Sequence, residues 1–487
     1  MTGARVCFYG LHMKPSATAT ARPLPALRKN ARGERRVDYR AVLALSLPLI
    51  ANAGSTAILN LTDTWFLGRI STEALAAMGA IFWLMLAFFL LMFGIGMGVQ
   101  TLAAQAWGGG RRHEAAAAAW TGFWSAFATI PFFVLLAFSG SWLLAPFHLP
   151  AEVERLALEF WFPRMLCGAA AVALFAITGF FNGVGRTRMT FGVMAVVMVL
   201  NVVLNQLLIF GLDMGIAGSA WASNIAVFVG VLMALAAFLS KALAAETGSR
   251  RDWQPRAERI GRLLRVGLPM GLSPAADVIG FALFQLMLVG LGPVEGAATQ
   301  IVMMLTSVAY MPAVGMAIAA TTLVGQSIGA GDKDWAYRVG NAVTVLAILY
   351  MGAMGLVLAL GGPWFVAFFT TAGDARAAEV VKLGTVLMWI AAGYQVFDAL
   401  HLGANFSLRG AGDARVPALM LLGLSWFGFV PLAHMLAFAP GQGWVDFLPQ
   451  FGMGSVGAWL AALTYMIAMS LALAWRWRSG AWRKIRL

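Results

Sequence analysis

Charge is scarce in this chain: 11% of its 487 residues are Asp, Glu, Lys or Arg, against a hydrophobic share of 60% and a mean hydropathy of +0.79. So little charge cannot clothe one globular core in a solvated surface, which excludes an ordinary soluble domain. Cysteine is rarer still. Cys7 in the N-terminal stretch and Cys167 in an apolar run provide no disulfide framework and no CxxC motif. The five histidines, His12, His113, His148, His401 and His434, are scattered without HxxxH or HExxH spacing. A membrane-embedded hydrolase or oxidoreductase would therefore lack its metal ligands, and the chain is not read as an enzyme. GGGRR at 108–112 lacks the Lys-Ser/Thr ending of a P-loop, so no nucleotide site is expected. The first 40 residues hold Pro, Ala and Arg clusters but no apolar h-region before a cleavage site. They read as a disordered basic tail and not as a secretory signal, with Met13 as an alternative start.

What is present is apolar and continuous. Twelve runs of membrane-spanning length lie near 41–68, 75–106, 116–146, 156–181, 188–211, 216–240, 263–292, 296–328, 338–370, 379–408, 415–438 and 454–476. Each meets the roughly 20 residues a helix needs to cross a bilayer. Barrel strands would be shorter and would alternate in polarity, and LMLAFFLLM at 84–92 does not alternate. The expected fold is an all-α polytopic membrane protein.

The 34 Lys and Arg give a net charge of +13, yet their placement points away from a nucleic-acid partner. Both tails and the loops after even-numbered spans hold 29 of them, and the other side holds five: Arg69, Arg155, Arg164, Arg376 and Lys382. That asymmetry is the positive-inside signature, and it places both termini in the cytoplasm of a plasma (inner) membrane protein.

The two halves carry the same landmarks in the same order. Leu47-Pro48, Gly94, Thr101-Leu102, Gln105, Gly108 and Gly110 recur 221 residues later as Leu268-Pro269, Gly315, Thr322-Leu323, Gln326, Gly329 and Gly331. Gly183-x-Gly185-x-x-Arg188 recurs 227 residues later as Gly410-x-Gly412-x-x-Arg415. Each repeat has an even number of spans, so the repeats run parallel, related by an axis along the membrane normal. This divides the chain into a tail (1–40), an N-lobe (41–240), a basic linker (241–262), a C-lobe (263–477) and a second basic tail (478–487), with a central cleft between two six-helix bundles. Gln105 and Gln326, equivalent and near helix ends, read as structural.

Of the 21 acidic residues, three lie inside long apolar runs: Asp63, Asp277 and Asp398. Carboxylates in hydrocarbon are expensive and mark ion, proton or charged-ligand sites. Asp63 is six residues before Arg69, about 9 Å at helical rise, hence toward the outer face, where surface pairing with Arg69 is the plain alternative. Asp277 and Asp398 lie about 18 Å and about 17 Å from the basic edge, a shared depth near the midplane. Packing of the seventh span on the tenth would make one C-lobe site of them. Tyr394 stands one helical turn before Asp398 on the same face, and His401 three residues after it. Asn201 and Asn205, also one turn apart, are either ligands or interhelical glue. Phe281, Phe284 and Phe397 are candidates for an aromatic lining of the central cleft by helical phase.

These residues carry a resemblance. LNLTDTWFLGRISTEALAAMG (59–79), GIGMGVQTLAAQAWGGGRR (94–112), GFFNGVGRTR (179–188), NVVLNQLLIFG (201–211), VGMAIAATTLVGQSIGAGD (314–332) and FSLRGAGDAR (406–415) resemble the multidrug and toxic compound extrusion (MATE) family from about Arg40 onward. The resemblance implies a cation-coupled antiporter that expels amphipathic, often cationic compounds. It implies that Asp63 is the first-helix acid, joined by Asn201, Asn205 and Ser223. One branch carries a second acid at the position of Asn205, whereas Asp398 with Tyr394 fits the NorM-like branch. The shorter Asp277 stands where that branch carries a glutamate.

The chemistry is coherent by itself. A buried carboxylate needs a proton, a metal ion or a cationic drug to supply the missing charge, so competition for it couples two fluxes. Oxygen-rich neighbours such as Tyr394, Asn405 and Thr62 suit sodium, with Asp277, Asp398 and Tyr394 as its ligands, whereas an oxygen-poor carboxylate suits a proton. No cofactor beyond the coupling ion, Na+ or H+, is expected, and the partners are small organic cations, that ion and membrane lipids around a monomer. A lipid-linked oligosaccharide flippase of a related superfamily is the alternative, but it calls for a basic cavity, and Arg164 is the one intramembrane candidate for that role.

Overall fold

The computed structural model describes residues 23–370 and 376–485; Cys7, His12 and Met13 lie outside them. Among the described residues eleven helices are long and apolar enough to cross a membrane, and one bent pair completes twelve. In chain order these are α1 (Tyr39–Gly68), α2 (Thr72–Gly108), α3 (Arg112–Phe138), α4 (Ala151–Leu166 with Gly168–Gly183), α5 (Thr187–Gly211) and α6 (Gly215–Phe238). The second half follows with α7 (Ala257–Leu291), α8 (Pro293–Gly329), α9 (Lys333–Leu360), α10 (Ala377–Ala411), α11 (Arg415–Ala437) and α12 (Gly454–Arg478).

Local chemistry sets the helix ends. The Asp38, Ser71 and Asp332 side chains accept from the first free backbone N–H groups of α1, α2 and α9. The repeated glycines explain themselves at the opposite ends. Gly110 and Gly331 have φ of +70° and +93°, and Gly185 and Gly412 have +82° and +84°. Each pair occupies equivalent turns of the two halves in a left-handed conformation that side chains resist.

Two irregularities were not expected. Pro163, four residues before Cys167, removes a backbone donor inside α4, which bends by 48° at that break. The Pro163 carbonyl accepts from the Cys167 N–H at 3.3 Å and also from Asn224 Nδ2 of α6 at 2.7 Å. In addition, α5 winds as a π-helix over Gln206–Gly211 and α11 does so over Ser425–Phe429, the fifth span of each half. Such π segments inside α-helices are often found at functional sites.

The helices form two lobes. In the N-lobe α2 packs on α3 and α4, and α5 on α1 and α6; in the C-lobe α8 packs on α9 and α10, and α12 on α10 and α11. The lobes meet through α2 on α7, α1 on α8, and α2 on α8, where the first two pairings exchange under the internal repeat. Glycine permits this approach, since a Cβ on Gly94 would run into the Gly267 and Gly271 backbone, and one on Gly315 into that of Ile50.

Both tails depart from expectation where they are described. Residues 23–37, expected to be disordered, fold into a hairpin of β1 (Leu27–Lys29) and β2 (Arg35–Val37). Leu27 and Val37 pack against the cluster that contains Trp335 and Val339 of α9. The Trp335 indole donates to the Pro25 carbonyl at 2.9 Å, and Arg35 pairs with Asp332 at 2.6 Å. At the other terminus Trp482 is buried and stacks on Trp477, with centroids 4.5 Å apart.

Candidate functional site

Each lobe holds one cluster of intramembrane polar groups around an acid. In the N-lobe, Asn205 Nδ2 donates to Asp63 Oδ1 at 2.6 Å and to Asn201 Oδ1 at 3.1 Å, and Asn201 Nδ2 donates to Ser223 Oγ at 3.0 Å. Helical spacing places both asparagines on one face of α5, and the π segment begins one residue past Asn205. Both Asn205 N–H groups are thus engaged, while its buried Oδ1 has no partner. Asp63, Asn201, Asn205 and Ser223 therefore gather several oxygens from three helices. Arg69 does not pair with Asp63; its guanidinium lies 4.7 Å over the Trp65 ring. Arg164 donates to Asn224 Oδ1 at 3.1 Å and lies 5.3 Å over Phe89, and its charge reaches Asp63 from a distance.

The C-lobe cluster is built differently from the sequence expectation, because α7 packs mainly on α2 and α11, and α12 lies against both α7 and α10. The Tyr465 hydroxyl of α12 donates to Asp277 Oδ1 at 2.7 Å. Its ring stacks on Phe429 with centroids 5.0 Å apart, which fixes the hydroxyl. Asp398 is buried at 5% exposure, with His401 Nδ1 3.4 Å from its Oδ1 and Asn405 Nδ2 3.5 Å from His401 Nε2. Tyr394, Asp398, His401 and Asn405 form a polar stripe along one face of α10. Tyr394 makes no hydrogen bond to Asp398 among the described residues, yet it lies within electrostatic range of Asp398 and Asp277. Asp277 in turn lies within electrostatic range of His401, Asp398 and Arg409. The two carboxylates interact electrostatically across a region where α12 lies against both α7 and α10, without direct packing of α7 on α10.

Sequence reasoning missed Tyr465 and Tyr310, although tyrosine gave a signal: the chain has only seven, and Tyr310, Tyr394 and Tyr465 lie in C-lobe spans around the same two acids. Phe284 is a correction. At 1% exposure it belongs to an aromatic core with Phe281, Phe429 and Trp459, whereas Phe281 and Phe397 are half-buried. Arg409, counted with the loop cations, is also placed differently: it lies within α10, buried at 6% exposure. Its Nη1 is 3.4 Å from Met97 Sδ and its guanidinium lies 4.5 Å over Phe406.

At the end of the bundle that carries the basic loops, the repeat becomes a clamp between lobes. Gln105 Nε2 donates to the Gly410 carbonyl at 3.0 Å, and its counterpart Gln326 donates to that of Gly183 at 2.9 Å. Thr101 Oγ1 donates to the Arg409 carbonyl at 3.0 Å, and its counterpart Thr322 to that of Asn182 at 2.9 Å. The acceptors are themselves counterparts across the repeat. Gly108 and Gly329 bring the chains together, since a Cβ on either would overlap the carbonyl of Gln326 or Gln105.

Paired six-helix lobes with one buried acid cluster each define a multi-pass membrane protein of the transporter type. The MatE family model matches twice, once on each half, over residues 48–207 and 269–433, and the chain belongs to that family. It is 29% identical over 450 residues to "Probable multidrug resistance protein NorM" of Brucella suis biovar 1 (strain 1330), covering 89% of this chain and 92% of the relative. It is likewise 29% identical over 458 residues to the protein of that name from Pseudomonas aeruginosa, covering 91% and 90%. Among solved structures, a MATE protein in complex with MaL6 superposes with a TM-score of 0.80 at 20% identity, covering 91% of this chain and 97% of that one. The outward-facing conformation of a multidrug resistance MATE family transporter gives 0.78 at 20% identity, covering 91% and 96%.

Proposed function

We propose that this chain is a Na+- or H+-coupled antiporter that exports amphipathic, often cationic compounds across the inner membrane by alternating access. One observation carries the reading: Asp63, Asp277 and Asp398 lie within membrane spans, and none has a Lys or Arg side chain within 4 Å among the described residues. Their missing positive charge has to come from an ion or from cargo. An ion arriving from outside displaces the drug from the carboxylate, and ion release to the cytoplasm restores the anionic, drug-binding form. Phe281 and Phe397 supply apolar wall beside Asp277 and Asp398.

The clamp supports an outward-facing reading of this conformation, with the basic-loop end closed by Thr101, Gln105, Thr322 and Gln326. Arg409 adds a positive charge to the same plug and opposes cation leakage through it. A flippase for a pyrophosphate-linked sugar finds acids where it would need bases. Dye efflux from vesicles, driven in turn by a sodium gradient and by a proton gradient, tests the proposal. Ethidium efflux that follows one gradient and competes with its ion supports antiport. If neither gradient moved any lipophilic cation, the proposal would be overturned.

A further inference from the structure

The N-terminal hairpin presents two faces, and only one is explained by the fold. Leu27, Val37 and Arg35 engage the C-lobe through the Trp335 cluster and Asp332. On the other face, Arg28 and Arg36 stand directly opposite each other in the antiparallel ladder. Directly opposed like charges, about 5 Å apart at their Cβ atoms, destabilise a strand pair unless an anion joins them. The one acid nearby is Glu34, 3.7 Å from Arg36, and both side chains are largely exposed, so that pair contributes little. Arg28 has no acid within 4 Å among the described residues.

The two arginines border an open cleft of about 690 Å³, which Lys29, Asn30, Ala31, Val37 and Tyr39 also line. Tyr39 opens α1, and with Leu43 and Leu47 it forms an exposed apolar stripe at spacings of four residues, at 49%, 41% and 60% exposure. One helix face thus runs from the basic cleft straight into hydrocarbon. We propose that this cleft binds an anionic phospholipid of the adjacent leaflet, with its phosphate between Arg28 and Arg36, its glycerol region on Tyr39 and an acyl chain along Leu43 and Leu47. The site rests on the reading that the basic ends of the spans face the anionic leaflet, but its binding chemistry does not depend on transport. Because the hairpin is also latched to α9 through Arg35 and Asp332, the bound lipid tethers the start of α1 to the C-lobe.

The test uses the full chain in nanodiscs of phosphatidylcholine with a rising fraction of phosphatidylglycerol. Both faces of a nanodisc are open to solvent, so the outcome is independent of orientation in the cell and of efflux. Hydrogen–deuterium exchange of residues 27–37 is expected to slow as phosphatidylglycerol rises. In R28Q/R36Q the fraction giving half-maximal protection is expected to increase by about tenfold or more. R32Q, at the hairpin turn outside the cleft, keeps the wild-type midpoint, and unchanged exchange in α2 and α8 verifies folding. Equal exchange in pure phosphatidylcholine and in mixed discs, or a midpoint in R28Q/R36Q equal to that of wild type, would overturn the proposal.

Discussion

At the scale of single residues, the acids differ in how they are held, and the difference yields separable predictions. Asp398 sits in the driest setting, its visible partner being His401. Asp398→Asn keeps the shape and the α10 packing but removes the one carboxylate of α10 that an ion could neutralise, so gradient-driven dye efflux is expected to vanish while the protein still inserts. Wild-type rates in that variant, at matched membrane levels, would refute a coupling role. Asp277 is different because the Tyr465 hydroxyl already stabilises its anion at 2.7 Å. Tyr465→Phe deletes that donor without disturbing the stacked ring. A hydrogen bond to a charged group contributes about 1.5–3 kcal/mol, so the coupling ion is expected to bind about ten- to a hundredfold more tightly and leave more slowly. Efflux as a function of ion concentration reads both effects, as a lower half-activating concentration with a lower maximal rate.

At the scale of elements, the clamp between α2, α4, α8 and α10 is the most regular feature of the molecule. Interhelical hydrogen bonds in membranes average about 0.6 kcal/mol each, so losing two of them shifts the balance of conformations by about tenfold. Gln105→Ala with Gln326→Ala is therefore expected to populate the form that is open at the basic end. Spin labels at Arg188 and Arg415, equivalent exposed positions on opposite lobes, should show a longer-distance population absent from the parent. The parent here is a background lacking Cys7 and Cys167, and an unchanged distance distribution would remove the clamp from the gating step. Gly108→Ala should act in the same direction, because its Cβ needs space occupied by the Gln326 carbonyl.

Sequence reading reached these elements unevenly, for physical reasons. Spans are visible because hydrocarbon demands long apolar runs, and the equivalence of Gln105 with Gln326 is visible because the repeat keeps its offset. The bond from each glutamine to the opposite half is a tertiary fact, invisible to any local pattern. The π segments of α5 and α11, which start at Gln206 and Ser425, carry no signature in residue type or spacing. Arg409 looked like a loop cation because charge usually ends a span, and Phe284 looked like a cleft residue because helical phase cannot tell a lobe core from a lobe surface. The hairpin was missed because its hydrophobic face is only Leu27 and Val37, too short to stand out from a basic tail.

At the scale of the whole molecule, symmetric lobes carry asymmetric sites: an oxygen-rich cluster at Asp63 near one membrane face, and a tyrosine- and histidine-rimmed pair of acids deeper in the C-lobe. The lobes meet through α1, α2, α7 and α8, and α1 carries Asp63 while α7 carries Asp277, so ion binding in either cluster acts on a helix of the shared interface. Two ion-binding events that favour the same global conformation are thermodynamically linked, and efflux then rises with ion concentration more steeply than a single site allows. The wild-type chain is expected to show a Hill coefficient approaching about 2 for the coupling ion, and Asp63→Asn one of about 1 with a reduced but measurable rate. Asp398→Asn, by contrast, removes the acid for which ion and cargo are proposed to compete and is expected to leave no rate to fit. A Hill coefficient that stays the same in Asp63→Asn would confine coupling to the C-lobe and make the N-lobe cluster a structural joint between α1, α5 and α6.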